Sequence, residues 1–188
     1  MATVYTIGHS TRTLEELIEA LQAHSIERLV DIRSYPISRR LPHFRGPLQI
    51  PGLEGVEPET APLEVTLPRA GIEYRWMRAL GGRRKKILQD SPNTGLRVQA
   101  FRNYADYMMA PEFRQAATEL VAWAEQKRTA IMCAERVYFH CHRMLVSDWL
   151  VAQEHTVLHI DGTGPVKPHH LMAEAQVVEG GVMYRGLF

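Results

Sequence analysis

Two cysteines, two histidines, a glutamate and an arginine fall within one short stretch, Cys133-Ala134-Glu135 and then, five residues on, Cys141-His142-Arg143, with His140 beside them. These are the only cysteines in the chain. An apolar run from Thr129 to Cys133 precedes the segment and an amphipathic stretch from Met144 to Gln153 follows it, so the whole reads as strand, loop and helix. A loop of this kind collects anions in α/β proteins, because free backbone N–H groups and the helix dipole point into it.

Three chemistries use these residue types. Cysteine phosphatases and related sulfurtransferases wrap an anion with a loop that is closed by an arginine six residues after the cysteine. Here that position is Phe139, and Arg143 comes ten residues on, which counts against this mechanism. Cys133, His140, Cys141 and His142 carry the atoms for zinc, but neighbouring ligands rarely close one tetrahedron and no Cys-x-x-Cys pair is present, so this reading assigns no metal. A Cys133–Cys141 redox pair has a spacing that matches no known redox motif. What remains is anion recognition with acid–base groups nearby: Glu135 or Asp31 as the carboxylate, and His9 or His142 as the proton carrier. Arg143 carries the most weight, because a cation in the first turn of a helix opposes the dipole unless an anion reverses the penalty. Arg143 would favour a thiolate at Cys133 and Glu135 would oppose it, which leaves the thiol either a nucleophile or an inert core group.

The elements that must position these groups can be traced along the chain. Thr3 to Ile7 is a short strand ended by Gly8-His9-Ser10. Thr13 through Glu16 is a Thr-x-x-Glu capping box, and Leu14, Leu17, Ile18 and Leu21 then line one helical face. Ile26 to Ile32 is a second strand, so the opening is βαβ with parallel strands. Seven of the eleven prolines fall between Pro36 and Pro68, which predicts an irregular excursion over about 36–70, with a short helix just before Gly71. A strand over Ile72 to Met77, helices over Val98 to Met109 and from Pro111, the strand ending at Cys133, a helix over Cys141 to Gln153 and a strand over Thr156 to Ile160 complete the pattern. A short helix over His169 to Ala175 and a strand near Val182 to Tyr184 end it.

Alternating strands and helices predict a single α/β domain over residues 1–188, an open, mainly parallel sheet with helices on both faces in a Rossmann-like three-layer arrangement. The polar clusters fall at strand ends: His9 and Ser10, Asp31 with Arg33, Cys133 with Glu135, and Asp161. In a parallel sheet these ends share one edge and one crevice. Each also has a structural reading: His9 and Ser10 as a strand terminus and cap, Asp31 and Arg33 as an ion pair, Glu135 as a solvated loop acid.

The formal net charge of +1 implies neither nucleic acid nor membrane for the chain as a whole, but the basic residues are bunched. Arg33, Arg39, Arg40 and Arg45 occupy one acid-free segment, and Arg69 to Arg97 holds eight of the 22 lysines and arginines, including Arg83-Arg84-Lys85-Lys86. Glu54, Glu57, Glu59 and Glu64 lie between them. No apolar run is long enough for a membrane helix and nothing at the N-terminus resembles a signal peptide, so a soluble protein in a reducing cytoplasm is expected.

Six ordered motifs carry a resemblance: Thr6-Ile7-Gly8-His9-Ser10; Asp31-Ile32-Arg33-Ser34-Tyr35-Pro36 with Ser38-Arg39-Arg40; Gly71-Ile72-Glu73-Tyr74; Leu80-Gly81-Gly82-Arg83; Cys133-Ala134-Glu135; and Cys141-His142-Arg143. A weaker echo follows at Pro168-His169-His170-Leu171. The chain resembles a prokaryotic family of uncharacterised proteins known as domain of unknown function 488. The resemblance implies a compact α/β fold and a shared polar site, and it supplies no reaction or cofactor. The stretch from Gly46 to Pro68 looks longer than the helical connection associated with that family.

The functional expectation is an enzyme, or a ligand sensor, with a phosphate-bearing ligand such as a nucleotide or a nucleic-acid end. His9, Asp31, Cys133 and Glu135 are the catalytic candidates. Ser10, Arg33, Arg39, Arg40, Cys141, His142 and Arg143 are the anion-binding ones. The alternative is a non-catalytic nucleic-acid-binding module that uses segments 33–45 and 83–86, with Tyr35, Phe44, Tyr74 and Trp76 available for stacking.

Overall fold

Strands Thr3–Gly8 (β1), Arg28–Asp31 (β2), Glu73–Trp76 (β3), Thr129–Cys133 (β4) and Thr156–Ile160 (β5) form the parallel part of one six-stranded sheet. Its order is β3-β2-β4-β1-β5-β6, where the short edge strand Lys167–Pro168 (β6) runs antiparallel to β5. The structure, a computed structural model, describes residues 1–52, 54–55 and 60–186. Glu57 and Glu59 of the acidic stretch lie outside these residues.

Alternation along the strands divides the core into two layers, as a sheet covered on both faces requires. Tyr5, Ile7, Leu29, Ala130 and Met132 face helices Leu14–Ala23 (α1) and Leu63–Arg69 (α2), meeting Leu17, Leu21, Leu63 and Leu67. Val4, Val30, Ile131 and Val157 face the other way, toward helices Gln99–Met108 (α3), Pro111–Gln126 (α4) and Arg143–Ala152 (α5). The fold is therefore the expected three-layer α/β arrangement. Thr13 caps α1 with both bonds of its box formed: its hydroxyl accepts from the Glu16 N–H at 3.2 Å and its own N–H donates to the Glu16 carboxylate at 2.8 Å.

The proline-rich excursion is packed rather than structureless where it is described. Pro42–Phe44 makes one 3₁₀ turn, and Phe44, Leu63 and Leu67 are fully buried. The excursion closes on itself through backbone bonds from Gly46 N–H to the Pro36 carbonyl (2.7 Å) and from Leu63 N–H to the Arg45 carbonyl (2.8 Å).

The C-terminal end differs from the helix expected over His169 to Ala175. The His169 N–H instead bonds to the Val157 carbonyl at 2.9 Å, continuing the edge pairing of β5, and the chain then turns into a hairpin of Ala175–Val178 (β7) and Gly181–Tyr184 (β8). The reason is a buried polar chain that claims the His169 side chain. His169 Nε2 donates to Asp148 at 2.8 Å, and His159 Nε2 donates to His169 Nδ1 at 2.9 Å. The Thr6 hydroxyl donates to His159 Nδ1 at 2.7 Å, and Arg143 donates to the Thr6 oxygen at 3.4 Å. In this arrangement each hydrogen bond of the chain donates toward Asp148, which also accepts from the Tyr184 hydroxyl (2.9 Å) and the Met172 N–H (3.2 Å). Tyr138 stacks on His159 with ring centroids 3.6 Å apart. Burial, with help from His169 and Arg143, pushes the His159 pKa down to about 3.

Two outcomes follow from this chain. Asp148→Ala strands two buried donors and a half-buried one, so a urea denaturation should show a loss of roughly 3 kcal/mol; a loss below about 1 kcal/mol would mean that water replaces the carboxylate. The unfolded chain takes up a proton at His159 near its ordinary pKa of 6.5, while the folded protein resists until about pH 3. Stability therefore falls as pH drops through that window, by up to about 1.4 kcal/mol per pH unit for one proton. The slope between pH 6.5 and 5, above most carboxylate titration, should flatten in His159→Gln.

Candidate functional site

The carboxyl ends of β1, β2 and β4 lie side by side, with Gly8 paired to Cys133 and Asp31 to Met132 across the ladder. Beyond that edge the chain segments are fastened to one another by their own backbones. His9 N–H donates to the Cys133 carbonyl at 3.0 Å, Ser10 N–H to the Ala134 carbonyl at 2.8 Å and Ile32 N–H to the Met132 carbonyl at 3.0 Å. Gly8 makes this approach possible, since a Cβ there would lie 1.9 Å from the Glu135 carbonyl oxygen. Ser34 accepts the Arg83 N–H at 2.8 Å, which bolts the Leu80–Arg83 turn to the segment after β2.

Asp31 and Arg33 form a buried ion pair. Arg33 Nε lies 2.9 Å and 3.1 Å from the two Asp31 oxygens and its Nη2 2.5 Å from Oδ2, and the backbone N–H of Arg33 adds a fourth bond at 3.0 Å. The Tyr74 hydroxyl donates to the same carboxylate at 2.8 Å, and Arg33 donates to the Phe44 carbonyl at 2.8 Å. Arg33 also donates to His9 Nε2 at 3.3 Å, while His9 Nδ1 donates to the Ser10 carbonyl at 3.0 Å. His9 is therefore a neutral imidazole stacked on Phe44 (4.2 Å between centroids), its pKa brought down to about 4 by burial and by Arg33.

Arg143 sits at the start of α5 with 1% of its surface exposed. Its guanidinium donates to the carbonyls of Glu135 and Arg136 and to Thr6. The loop's own carbonyl oxygens thus supply the negative partner that offsets the dipole at this helix end. Helix α5 begins two residues later than the pattern predicts, because a 3₁₀ turn at Tyr138–His140 leaves Cys141 extended.

Above this framework lies a cleft of about 810 Å³. Cys133, Ala134, Glu135, Cys141 and His142 line it together with Arg33, Ser34, Tyr35, Arg39, Gly82, Arg83 and Phe101. Of the site residues expected from sequence, Cys133, Glu135, Cys141, His142, Arg33 and Arg39 come together here. His9, Ser10, Asp31, Arg40 and Arg143 are not among its described lining residues. His140 lines the cleft and is exposed. Phe101 was not singled out by the sequence reading; the signal for it is an aromatic residue in the first turn of an otherwise polar helix start.

Three atoms meet on the cleft floor. His142 Nδ1 is 3.4 Å from Cys141 Sγ and 3.9 Å from Cys133 Sγ, and His142 Nε2 donates to the Ile32 carbonyl at 3.0 Å. The thiols share their protons unequally. The bond from Cys133 and the field of Arg143 lower the Cys141 thiol to about 6, whereas that same bond and burial push Cys133 up to about 12. Thiolate character therefore belongs to Cys141 rather than to Cys133, the nucleophile candidate of the sequence.

The basic run divides by direction. Arg84 turns inward, donating to the carbonyls of Gly81, Arg78 and Ala79 and covering the Tyr107 ring at 3.6 Å. Arg45 is likewise buried and donates to the Leu48 carbonyl. Arg39, Arg40, Arg83, Lys85 and Lys86 remain exposed.

A family model described as domain of unknown function DUF488 matches residues 55–150, just over half of the chain and all of the cleft's wall from β3 to α5, and the chain belongs to that family. No curated protein and no solved structure matches it. No described helix is long and apolar enough to cross a membrane.

The close approaches give a test of this framework. Gly8→Ala should cost about 1–3 kcal/mol in urea denaturation, because the loop after β4 must retreat. In Gly82→Ala the new Cβ would lie 2.4 Å from His142 Nδ1, so the imidazole must shift. The His142 ring signals in a proton–nitrogen correlation spectrum should move while far-ultraviolet circular dichroism stays unchanged. Unmoved ring signals would show that Gly82 does not pack on His142.

Proposed function

We propose that this member of the family binds a phosphate-bearing ligand, a nucleotide or the end of a nucleic acid, in the cleft beside Cys133 and His142, as an enzyme or a sensor derived from one. One observation carries the reading: unneutralised cations, the exposed Tyr35 ring and the half-buried Phe101 ring face the same cleft as a polar floor. Among the described residues no carboxylate pairs with Arg39 or Arg83. Arg83 lies over the Tyr35 ring at 5.5 Å, and Tyr35 is about half exposed. Cations at a cleft mouth attract phosphate, and exposed rings beside them stack on bases without regard to sequence. Arg33 is held away from this role by Asp31, and Arg143 by the loop carbonyls, so ligand charge falls to Arg39 and Arg83. The floor supplies groups able to act on what is bound: a thiol pair, an imidazole nitrogen and the exposed carboxylate of Glu135.

The second reading is a nucleic-acid-binding module without catalysis. A neighbouring groove of about 540 Å³ favours it, since Tyr35 and Arg83 are shared with the cleft and Arg78 and Lys85 extend the basic surface beyond it.

Fluorescence anisotropy with short single-stranded oligonucleotides separates these. End recognition predicts that a 5′-phosphorylated strand binds at least about tenfold tighter than its unphosphorylated twin, roughly 1.4 kcal/mol for the terminal phosphate. Arg39→Ala with Arg83→Ala should abolish that preference, and Lys85→Ala with Lys86→Ala should leave it. A module that tracks the backbone predicts equal binding of both strands, a steep loss with salt and sensitivity to the lysine pair. If neither oligonucleotides nor mononucleotides bind at low salt, the phosphate reading is wrong.

A further inference from the structure

We propose that Cys133, Cys141 and His142 form a binding site for a thiophilic divalent metal ion of the zinc class, with its fourth position open to the cleft. The site goes beyond the phosphate reading and does not depend on it.

The three donor atoms stand close enough together to share one ion. Ligand atoms of these three residues lie within 4.8 Å of one another. Zinc–sulfur bonds of about 2.3 Å and zinc–nitrogen bonds of about 2.0–2.1 Å at tetrahedral angles place sulfur and nitrogen roughly 3.6 Å apart. The Cys141 and Cys133 sulfurs stand 3.4 Å and 3.9 Å from His142 Nδ1, on either side of that value.

The imidazole is oriented for the task. A carbonyl oxygen accepts only, so the bond from His142 Nε2 to Ile32 places a ring proton on Nε2, and in the neutral ring that a metal requires the Nδ1 lone pair faces the two sulfurs. A second ring nitrogen held by a backbone carbonyl is the usual support of a metal-ligating histidine. Tyr104 packs edge-on against the ring at 5.2 Å and Gly82 lies against its face, so the ring is held from several sides.

Adjacent ligands are the objection to such a site, and the local backbone answers it. Cys141 is extended (φ −132°, ψ 152°) while His142 is already helical (φ −58°, ψ −14°), and this change of direction lets two neighbouring side chains converge on one point. Cys133 comes to the same point from the end of β4. His140 does not join the group, so three protein ligands remain, and all three line the cleft. Three ligands plus an exchangeable position is the pattern of zinc sites that handle substrate, whereas structural sites close with four. Two thiolates and an imidazole select zinc-class ions over magnesium or calcium.

Binding balances as follows: the metal ion takes lone pairs from both sulfurs and from Nδ1, and each thiol still protonated releases its proton to solvent. Two thiolates then neutralise the dication, so neither the start of α5 nor Arg143 meets net positive charge.

The test is cobalt(II) titration of the reduced, chelator-treated full chain. One equivalent should produce a thiolate-to-cobalt charge-transfer band and tetrahedral ligand-field bands, and one equivalent of zinc should bleach them. Cys133→Ser, Cys141→Ser and His142→Gln should each lose the tetrahedral spectrum with an unchanged circular dichroism spectrum. Should a variant fail to fold, the wild-type chain still decides the matter, because bound zinc should slow the reaction of both thiols with Ellman's reagent at least tenfold. Absence of the charge-transfer band, thiols equally reactive with and without zinc, or a tetrahedral spectrum kept by all three variants overturns the site. So does reduced protein that takes no metal and closes a Cys133–Cys141 disulfide in air. Arg39→Ala with Arg83→Ala should leave the cobalt spectrum intact, so failure of the metal site and failure of phosphate binding are read separately.

Discussion

The Asp31–Arg33 pair is the contact on which the geometry of the cleft depends. A carboxylate with no exposed surface at the end of β2 is tolerable only because it is saturated. It is met by the Arg33 guanidinium, the Arg33 N–H and the Tyr74 hydroxyl, and the arginine reaches on to Phe44 and His9. One ion pair therefore joins β1, β2, β3 and the proline-rich excursion. Removing either partner would leave a buried charge, a far larger penalty than the pair's net contribution to stability. Its function is specificity of arrangement: it fixes where the residues after β2 leave the sheet, and so where Ser34, Tyr35 and Arg39 stand.

Arg143 plays the matching part on the other wall. By gathering the carbonyls of Glu135 and Arg136 it curls the loop after β4 over the start of α5, and through Thr6 it is linked to the His159–His169–Asp148 chain. The C-terminal segment, which contributes no residue to the cleft's described lining, is in this way tied to the loop that does.

What could be read from residue order alone follows a physical division. Parallel strands buried on both faces are continuous apolar runs with polar residues at their ends, so β1, β2, β4 and β5 and their shared carboxyl edge were legible. So were the capping box at Thr13 and the helix start at Pro111. The roles of the charged residues were not, because they rest on partners distant in sequence. Arg143 looked like an unsatisfied cation at a helix start, and its acceptors are carbonyl oxygens that no side-chain pattern reveals. Asp148, just before the apolar run Trp149-Leu150-Val151, and His159, inside a strand, were not singled out, because their role appears only when Tyr184 and His169 are placed beside them. Spacing likewise argued against Cys141 and His142 serving one metal ion, since spacing carries no information on the abrupt change of backbone direction between them.

The place of β1 in the sheet has a consequence for how the protein is made. β1 precedes β4 and β5 by more than a hundred residues yet lies between them, with Val4 paired to Thr129 and Thr3 to Thr156. For most of synthesis both edges of β1 must wait unpaired, and contacts of such sequence separation form slowly. An apolar strand with two open edges is a template for pairing with another chain. The central sheet therefore cannot close until the chain has reached β5, which ends at Ile160.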